Sequence, residues 1–272
     1  MSKIKIVSID IDGTLLNDRR EITPEVKSRI QQALANGVKI VITTGRPLPG
    51  VRDILSELGI NGDDQYVITY NGGLVQTASG KKTLFRQPLS VEAFQKVNAF
   101  MTAQNTYVQV ETQDAAYTTH HRIHPWASFE NSLVNLPLFV LDTEVALEKV
   151  EFIKAIANAE SDELDAVQAV VPDEIKDSVN VIRSTANNLE FIDQHASKGH
   201  ALLALADVLG VAQADTMAIG DQANDYSMIA RAGIGVAMGN AIADVKHIAN
   251  AQTATNNESG VAQAIEKFVL SE

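Results

Sequence analysis

The chain has 272 residues, of which 45% are hydrophobic, and it contains no cysteine. Disulfide bonds, thiol nucleophiles and cysteine-ligated zinc are therefore excluded. The 34 acidic residues outnumber the 22 basic residues, which gives a formal net charge of −12. A negative field of this size repels phosphate backbones, and no basic cluster opposes it, so we expect no nucleic-acid partner.

The N-terminal residues do not have the pattern of a secretion signal, because Asp10 interrupts the first apolar run. No stretch of the sequence approaches the ~18 consecutive apolar residues that a membrane-spanning helix needs. We therefore expect a cytoplasmic protein that does not enter a membrane. The sequence gives no indication of its oligomeric state.

The first part of the chain alternates short apolar runs with helical patterns. An apolar-rich strand is predicted over residues 4–9, and Thr23 and Pro24 are typical of a helix N-cap and first turn. Apolar residues then recur at helical spacing until Gly37. The next predicted elements are a strand over residues 38–42, a helix over residues 48–58 and a strand over residues 66–70.

The last part of the chain shows the same alternation. A helix containing Leu202, Leu205 and Leu209 is predicted to end at Gly210. It is followed by a predicted strand over residues 216–219, a helix over residues 226–232 and a strand over residues 234–238. Strands that alternate with helices are typical of a parallel sheet covered by helices. We therefore predict an α/β fold with a doubly wound parallel sheet.

The middle of the chain lacks this regularity. We predict an inserted α+β cap over residues 84–190, between two core segments at residues 1–83 and 191–272. A helix is predicted over residues 145–157. Strands are predicted over residues 107–111, 116–119, 137–141 and 179–184.

Two aspartates follow the first predicted strand. Because residues two apart share one face of a strand, the carboxylates of Asp10 and Asp12 point the same way. At the carboxyl end of a parallel strand they enter the crevice where α/β sheets bind ligands. Such a pair persists by sharing a proton or a cation; the alternative is a solvated Asp-Gly turn. A calcium loop is excluded, since Thr14 and Leu15 stand where it needs an acidic or amide residue and a glycine.

A second acidic group follows another predicted strand. Asp221 and Asp225 lie between that strand and the next helix, where Gly-Asp alone is more typical of a loop and an N-cap. Together with Asp10 and Asp12, however, they place carboxylates at the ends of two parallel strands. Carboxylate oxygens are hard ligands that suit Mg²⁺ rather than softer metals.

Groups that could bind an anion are also present. Thr44 and Gly45 end a strand and open a helix, which offers hydroxyl and backbone N–H donors to a phosphate. Lys198 opens another helix, although a lone lysine there is more typical of an exposed surface. Together the four groups supply a nucleophile, a proton-transfer carboxylate, a cation site and phosphate contacts. This combination suits phosphoryl transfer through an aspartyl phosphate.

The chain resembles the haloacid dehalogenase superfamily, whose four ordered motifs match residues 10–14, 44–46, 197–199 and 220–225. The long insert between the second and third motifs resembles the Cof-type branch, subclass IIB, which has a C2B cap. Residues 68–72 and 235–238 resemble the YidA-like sugar phosphatases of that branch. The resemblance implies a Rossmann-like core and a phosphatase of small phosphorylated metabolites, with sugar phosphates as the expected substrates.

The resemblance also implies roles for individual residues. Asp10 would be the nucleophile, and Asp12 would protonate the leaving group and then activate water. Mg²⁺ would be held by the Asp10 carboxylate, the main-chain carbonyl of Asp12 and Asp221. Asp225 would orient Lys198 or a metal-bound water. The phosphoryl oxygens would be held by Thr44, the Gly45 amide, Lys198 and Asn224.

Three other functions fit parts of this pattern. A phosphomutase would use the same aspartyl phosphate but pass the phosphoryl group to a second hydroxyl. A phosphoacceptor signalling module would keep the phosphorylated aspartate for a partner to recognise. A metabolite-binding protein would have lost turnover, although every residue required for catalysis is present.

Overall fold

The computed structural model describes residues 4–271, except the side chain of Ala146. Its contacts divide the chain into two compact units. The first unit contains residues 4–44, 52–86 and 197–271, and the second contains residues 45–51 and 87–196. Among the described residues, no helix is long and apolar enough to cross a membrane.

The first unit is built on an eight-stranded sheet. Its strands, numbered in chain order, are β1 (Ile6–Ile9), β2 (Lys39–Thr43), β3 (Tyr66–Thr69), β4 (Leu74–Thr77), β5 (Thr83–Arg86), β12 (Thr216–Gly220), β13 (Ile234–Ala237) and β14 (Ala251–Gln252). They lie in the order β14-β13-β12-β1-β2-β3-β4-β5. Neighbours from β14 to β3 are parallel, whereas β4 and β5 pair antiparallel. The predicted α/β fold is therefore confirmed, with an antiparallel edge, formed by β4 and β5, that the alternation of strands and helices did not indicate.

The helices of the first unit are α1 (Pro24–Ala35), α2 (Arg52–Leu58), α8 (Lys198–Val208), α9 (Tyr226–Arg231), α10 (Ala243–Ile248) and α11 (Gly260–Ile265). The first of them begins where the sequence predicts, because the Thr23 hydroxyl accepts a hydrogen bond from the backbone N–H of Val26 and Pro24 occupies the first turn. It ends just before Gly37, whose φ of +82° suits glycine.

The connectivity of this sheet places two loops side by side. After β1 the chain builds β2 and β3 on one side, and after β12 it builds β13 and β14 on the other. In open α/β sheets, ligands bind at such a reversal of strand order, beyond the carboxyl ends of the strands. Ile9 pairs with Ile219, so the residues that follow these strands emerge next to each other.

The second unit contains a six-stranded sheet in the order β10-β11-β9-β6-β7-β8. Its strands are β6 (Tyr107–Glu111), β7 (Ala116–Thr118), β8 (Leu138–Val140), β9 (Lys154–Asn158), β10 (Val179–Thr185) and β11 (Asn188–Asp193). All neighbours pair antiparallel except β7 and β8. The helices are α3 (Val91–Ala103), α4 (Pro125–Leu133), α5 (Glu144–Leu147), α6 (Ser161–Ala169) and α7 (Asp173–Lys176).

The helix predicted over residues 145–157 is wrong for most of its length. The helix there ends at Leu147, and the chain from Lys154 to Asn158 forms β9, with β6 and β11 on either side. A short apolar run has no periodicity that separates a strand from a buried helix. Hydrogen bonds from two neighbouring strands decide the conformation in this case, and the local sequence does not reveal them.

A buried ion-pair network crosses the middle of the second sheet. The Lys154 ammonium lies 3.0 Å from a carboxylate oxygen of Glu190 and 3.4 Å from one of Glu111, and all three side chains are buried. Burial alone would lower the pKa of Lys154, but the two carboxylates overcome this effect and raise it. Burial raises the pKa of Glu111. The charged residues are therefore tolerated inside the sheet because they are paired.

The aromatic core of the second unit provides a stability test. Phe94 of α3 is 1% exposed, and its ring centroid lies 5.0 Å from that of Phe152. We expect Phe94→Ala to lower the free energy of unfolding of this unit by about 3–5 kcal/mol, because a large cavity is left behind. Denaturant unfolding monitored by the fluorescence of Trp126, the single tryptophan, measures this change.

Phe129 is the matched control, because it lies in the same unit but is 57% exposed. We expect Phe129→Ala to cost less than about 1 kcal/mol. Equal losses in the two variants would contradict the described core.

Candidate active site

A fully buried ammonium joins two carboxylates at the ends of the central strands. The Lys198 Nζ atom lies 2.6 Å from Asp10 Oδ1 and 2.6 Å from Asp225 Oδ1. Lys198 is 0% exposed, in contrast to the surface position that is typical of a lone lysine. It begins α8, where the Ser197 hydroxyl accepts a hydrogen bond from the backbone N–H of His200. The helix cap therefore fixes the backbone from which the lysine extends.

The predicted metal ligands Asp10 and Asp221 lie in one buried group of carboxylates with Asp225. One oxygen from each of the three carboxylates lies within 4.8 Å of the other two. Asp225 is already engaged, since Oδ1 accepts from Lys198 and Oδ2 accepts from the backbone N–H groups of Asp221 and Gln222. The acceptor capacity that remains for a cation belongs mainly to Asp10 and Asp221. Carboxylate oxygens in this arrangement can hold a hard divalent metal ion.

The charges in this group do not balance. The cluster contains three carboxylates, and one ammonium pairs with two of them, so the ionised cluster carries two excess negative charges. Within 4.8 Å, two such charges repel by about 3–4 kcal/mol at an effective dielectric of about 20. A divalent cation would offset this excess, and the all-oxygen donor set fits Mg²⁺.

The pKa values reflect the same imbalance. Burial, with repulsion from Asp225, raises the pKa of Asp10 to about 8, although the Lys198 ammonium opposes the change. Burial also raises the pKa of Asp221. Burial alone would lower the pKa of Lys198, but the carboxylates of Asp10 and Asp225 raise it above its usual value. Lys198 is therefore charged, and the excess negative charge is what the protein must neutralise.

Two neighbours of the metal candidates were not predicted as site residues. The Thr14 hydroxyl donates a hydrogen bond to Asp221 Oδ1 at 2.8 Å. Gly13 has a φ of +81°, and a Cβ atom there would lie 2.5 Å from Asp221 Oδ2. The loop after β1 therefore approaches Asp221 closely only because residue 13 is glycine. Both residues belong to the Asp-Ile-Asp-Gly-Thr run, which is the one feature of the sequence that could have indicated them.

The other predicted site residues lie outside the group formed by Asp10, Asp221 and Asp225. Thr44 is buried, and its carbonyl accepts a hydrogen bond from the backbone of Asn71. The Asn224 side-chain amide donates to Asn71 Oδ1. Asp12 is exposed, and its carboxylate lies outside the group of three. Gly45 follows Thr44 directly but belongs to the second unit, so it is not part of this cluster.

Comparison with known proteins assigns the family. The sequence model of the haloacid dehalogenase-like hydrolase family matches residues 7–265 of this chain. The chain belongs to this family. A Streptococcus pyogenes protein that is provisionally named a phosphatase is 39% identical over 267 residues, which cover 98% of this chain and 99% of that protein. The predicted superfamily and the phosphatase class are confirmed.

Two further proteins extend the comparison. The Bacillus subtilis protein YcsE, a 5-amino-6-(5-phospho-D-ribitylamino)uracil phosphatase, is 32% identical over 271 residues, which cover 98% of this chain and 96% of that protein. A solved subclass IIB sugar phosphatase has a TM-score of 0.79 and 24% identity, and the alignment covers 97% of this chain and 98% of that chain. The second similarity concerns the fold alone.

The raised pKa of Asp10 predicts how metal binding depends on pH. A carboxyl group with a pKa of about 8 must lose its proton before it coordinates a cation. We therefore expect the affinity for Mg²⁺ to rise by up to about tenfold per pH unit between pH 6 and 8 and then to level off. Isothermal titration calorimetry at several pH values measures this dependence.

The stability of the metal-free protein should also depend on pH, and it should fall as the pH rises. The pKa of Asp10 in the folded state lies above its usual value of 3.8, so the folded state binds the proton more tightly than the unfolded state does. The contribution of this proton to stability is lost as the pH rises through 8. Mg²⁺ should therefore raise the melting temperature more at pH 8 than at pH 6. Asp10→Asn is the control and should remove most of the pH dependence. A flat pH profile in the wild-type protein would contradict this assignment.

The contact between Thr14 and Asp221 predicts a second effect on metal binding. We expect Thr14→Val to weaken Mg²⁺ binding about 10–100-fold, because the carboxylate loses the hydrogen bond that orients it. Calorimetry at pH 8 measures the change. Thr102→Val, an exposed site on α3, is the matched control and should bind Mg²⁺ like the wild type. An unchanged affinity in Thr14→Val would refute the role of this hydroxyl.

Proposed function

We propose that this phosphatase is Mg²⁺-dependent and hydrolyses small phosphate monoesters through an aspartyl phosphate on Asp10. The proposal rests on the buried cluster of Asp10, Asp221 and Asp225, two of which pair with Lys198, and on its excess of negative charge. Such a cluster combines a carboxylate for attack with a place for a cation and an ammonium for the phosphoryl group. Family membership supports the same chemistry.

In the first step, a carboxylate oxygen of Asp10 attacks phosphorus while the bond between phosphorus and the ester oxygen breaks. Asp12 gives its proton to the departing alkoxide, and its exposed position suits proton exchange with solvent. In the second step, Asp12 takes a proton from a water molecule, which attacks the phosphorus of the aspartyl phosphate. Inorganic phosphate leaves and Asp10 is restored. Mg²⁺, held by Asp10, the Asp12 carbonyl and Asp221, would reduce the repulsion between nucleophile and phosphate.

The other residues hold the phosphoryl group. Lys198 contacts Asp10 directly, so its ammonium would lie beside the phosphorus during attack. Asp225 also holds that ammonium, with its Oδ1 atom 2.6 Å from Nζ. The hydroxyl of Thr44 and the side chain of Asn224 would donate to the remaining oxygens of the phosphoryl group. Preorganised donors of this kind stabilise the charge that spreads over the phosphoryl oxygens.

We propose sugar phosphates and closely related esters as substrates. The sugar phosphatase of similar fold and the YcsE relative act on different molecules, as their names state. In both, however, the phosphate is carried by a polyhydroxylated carbon chain, and this shared chemistry defines the class. That residues 84–190 act as a cap which selects among such esters stays a prediction.

A panel of phosphate monoesters tests the proposed function. We expect hydrolysis with Mg²⁺ to be fastest for sugar and sugar-alcohol phosphates, and Asp10→Asn to lower kcat by at least about 10³-fold while the fold is retained. Asp53→Asn, an exposed aspartate on α2, is the matched control and should keep wild-type activity. Hydrolysis near the wild-type rate in Asp10→Asn would rule out the mechanism.

The intermediate can be tested separately. If Asp12 activates the water of the second step, Asp12→Asn should accumulate a phosphorylated peptide that contains Asp10 after acid quenching. Mass spectrometry of the digest detects it. Phosphate release that requires an added sugar acceptor or sugar bisphosphate, rather than water alone, would favour a phosphomutase instead.

A further inference from the structure

The turn that follows β3 has an unusual backbone. Three consecutive residues adopt positive φ angles, +54° at Tyr70, +53° at Asn71 and +97° at Gly72. Tyrosine rarely adopts this conformation, and this one is 0% exposed. Strained conformations of this kind persist where the surroundings hold them, and they cluster at functional sites.

Glycine 72 fixes this turn against the helix that carries the buried lysine. A Cβ atom at Gly72 would lie 2.1 Å from the carbonyl oxygen of Ser197 and 2.8 Å from the backbone nitrogen of Lys198. Only glycine permits such an approach. The turn therefore packs directly on the first residues of α8.

Asn71 connects two more of the proposed phosphate-binding residues. Its backbone N–H donates to the carbonyl of Thr44 at 2.9 Å. Its side-chain Oδ1 accepts a hydrogen bond from Nδ2 of Asn224 at 3.1 Å. Asn71 is 3% exposed. The turn thus contacts three segments that are far apart in the sequence and that supply Thr44, Lys198 and Asn224.

We propose that Asn71 is a positioning residue for the phosphoryl-binding amide of Asn224. This inference rests on the proposed function. An asparagine amide presents either an oxygen or an NH₂ group, and only the NH₂ group can donate to an anion. Because Asn71 Oδ1 accepts one N–H of Asn224, it selects the orientation in which the other N–H is available. A rotated amide would place its oxygen against Oδ1 of Asn71 and, in the complex, against the phosphate.

The variant Asn71→Gly isolates the side chain, because glycine keeps the left-handed backbone without strain. We expect kcat/KM for a phosphate monoester to fall about tenfold, mainly through a higher KM, since Asn224 holds the phosphoryl group in the ground state as well as the transition state. Asn105→Gly is the matched control, because Asn105 also has a φ of +53° and is exposed at the end of α3. It should leave kcat and KM unchanged.

A double-mutant cycle separates positioning from general loss of structure. If Asn71 acts through Asn224, adding Asn71→Gly to Asn224→Ala should cause no further loss of kcat/KM. A role in folding alone would instead give additive losses and a lower melting temperature with an unchanged KM. Either of those results, or wild-type kinetics in Asn71→Gly, would overturn the inference.

Binding of inorganic phosphate in the presence of Mg²⁺ tests Asn71 independently of turnover. Calorimetry should show about tenfold weaker phosphate binding in Asn71→Gly than in the wild type or in Asn105→Gly. A wild-type protein that hydrolyses no ester would refute the proposed function but leave this comparison intact. Equal phosphate affinities in the wild type and Asn71→Gly would refute the role of Asn71 alone.

Discussion

The site depends on one buried ammonium. Lys198 is completely enclosed, and its charge is tolerated because Asp10 and Asp225 each lie 2.6 Å away. The fold creates this arrangement through strand order. Since β1 and β12 are adjacent in the sheet but distant in sequence, Asp10 and the loop containing Asp225 leave the sheet side by side. The start of α8 then brings the lysine between them.

The same arrangement leaves the carboxylates in excess, and this excess links structure to activity. Around Lys154, by comparison, one ammonium pairs with two carboxylates, which leaves a single excess negative charge. In the cluster that contains Lys198, the pKa of Asp10 is raised, and the Thr14 hydroxyl orients the Asp221 carboxylate through a hydrogen bond. Ionisation of the proposed nucleophile, Asp10, would therefore be coupled to the binding of a cation. Supporting residues such as Gly13 and Gly72 act by permitting close approaches between loops.

Much of the first unit could be predicted from sequence, because its strands are short apolar runs and its helices α1 and α8 begin at the capping residues Thr23 and Ser197. The acidic pairs after β1 and β12 indicated a shared site, since the ends of parallel strands meet at one edge. The complete burial of Lys198 could not be predicted, because nothing local distinguishes it from a surface lysine. Asn71 belongs to a turn whose role depends on contacts across the fold. The wrong helix over residues 145–157 has the same origin, because β9 is determined by its partner strands.

The proposed mechanism requires that Asp10 and Asp221 share one divalent cation beside the Lys198 ammonium. A crystal structure with Mn²⁺ in place of Mg²⁺, recorded at the manganese absorption edge, tests it most directly. We expect a single strong anomalous peak within coordination distance of one oxygen of Asp10 and one of Asp221, with Lys198 still paired to Asp225. A protein saturated with Mn²⁺ that shows no peak between these two carboxylates, or a peak elsewhere alone, would contradict it.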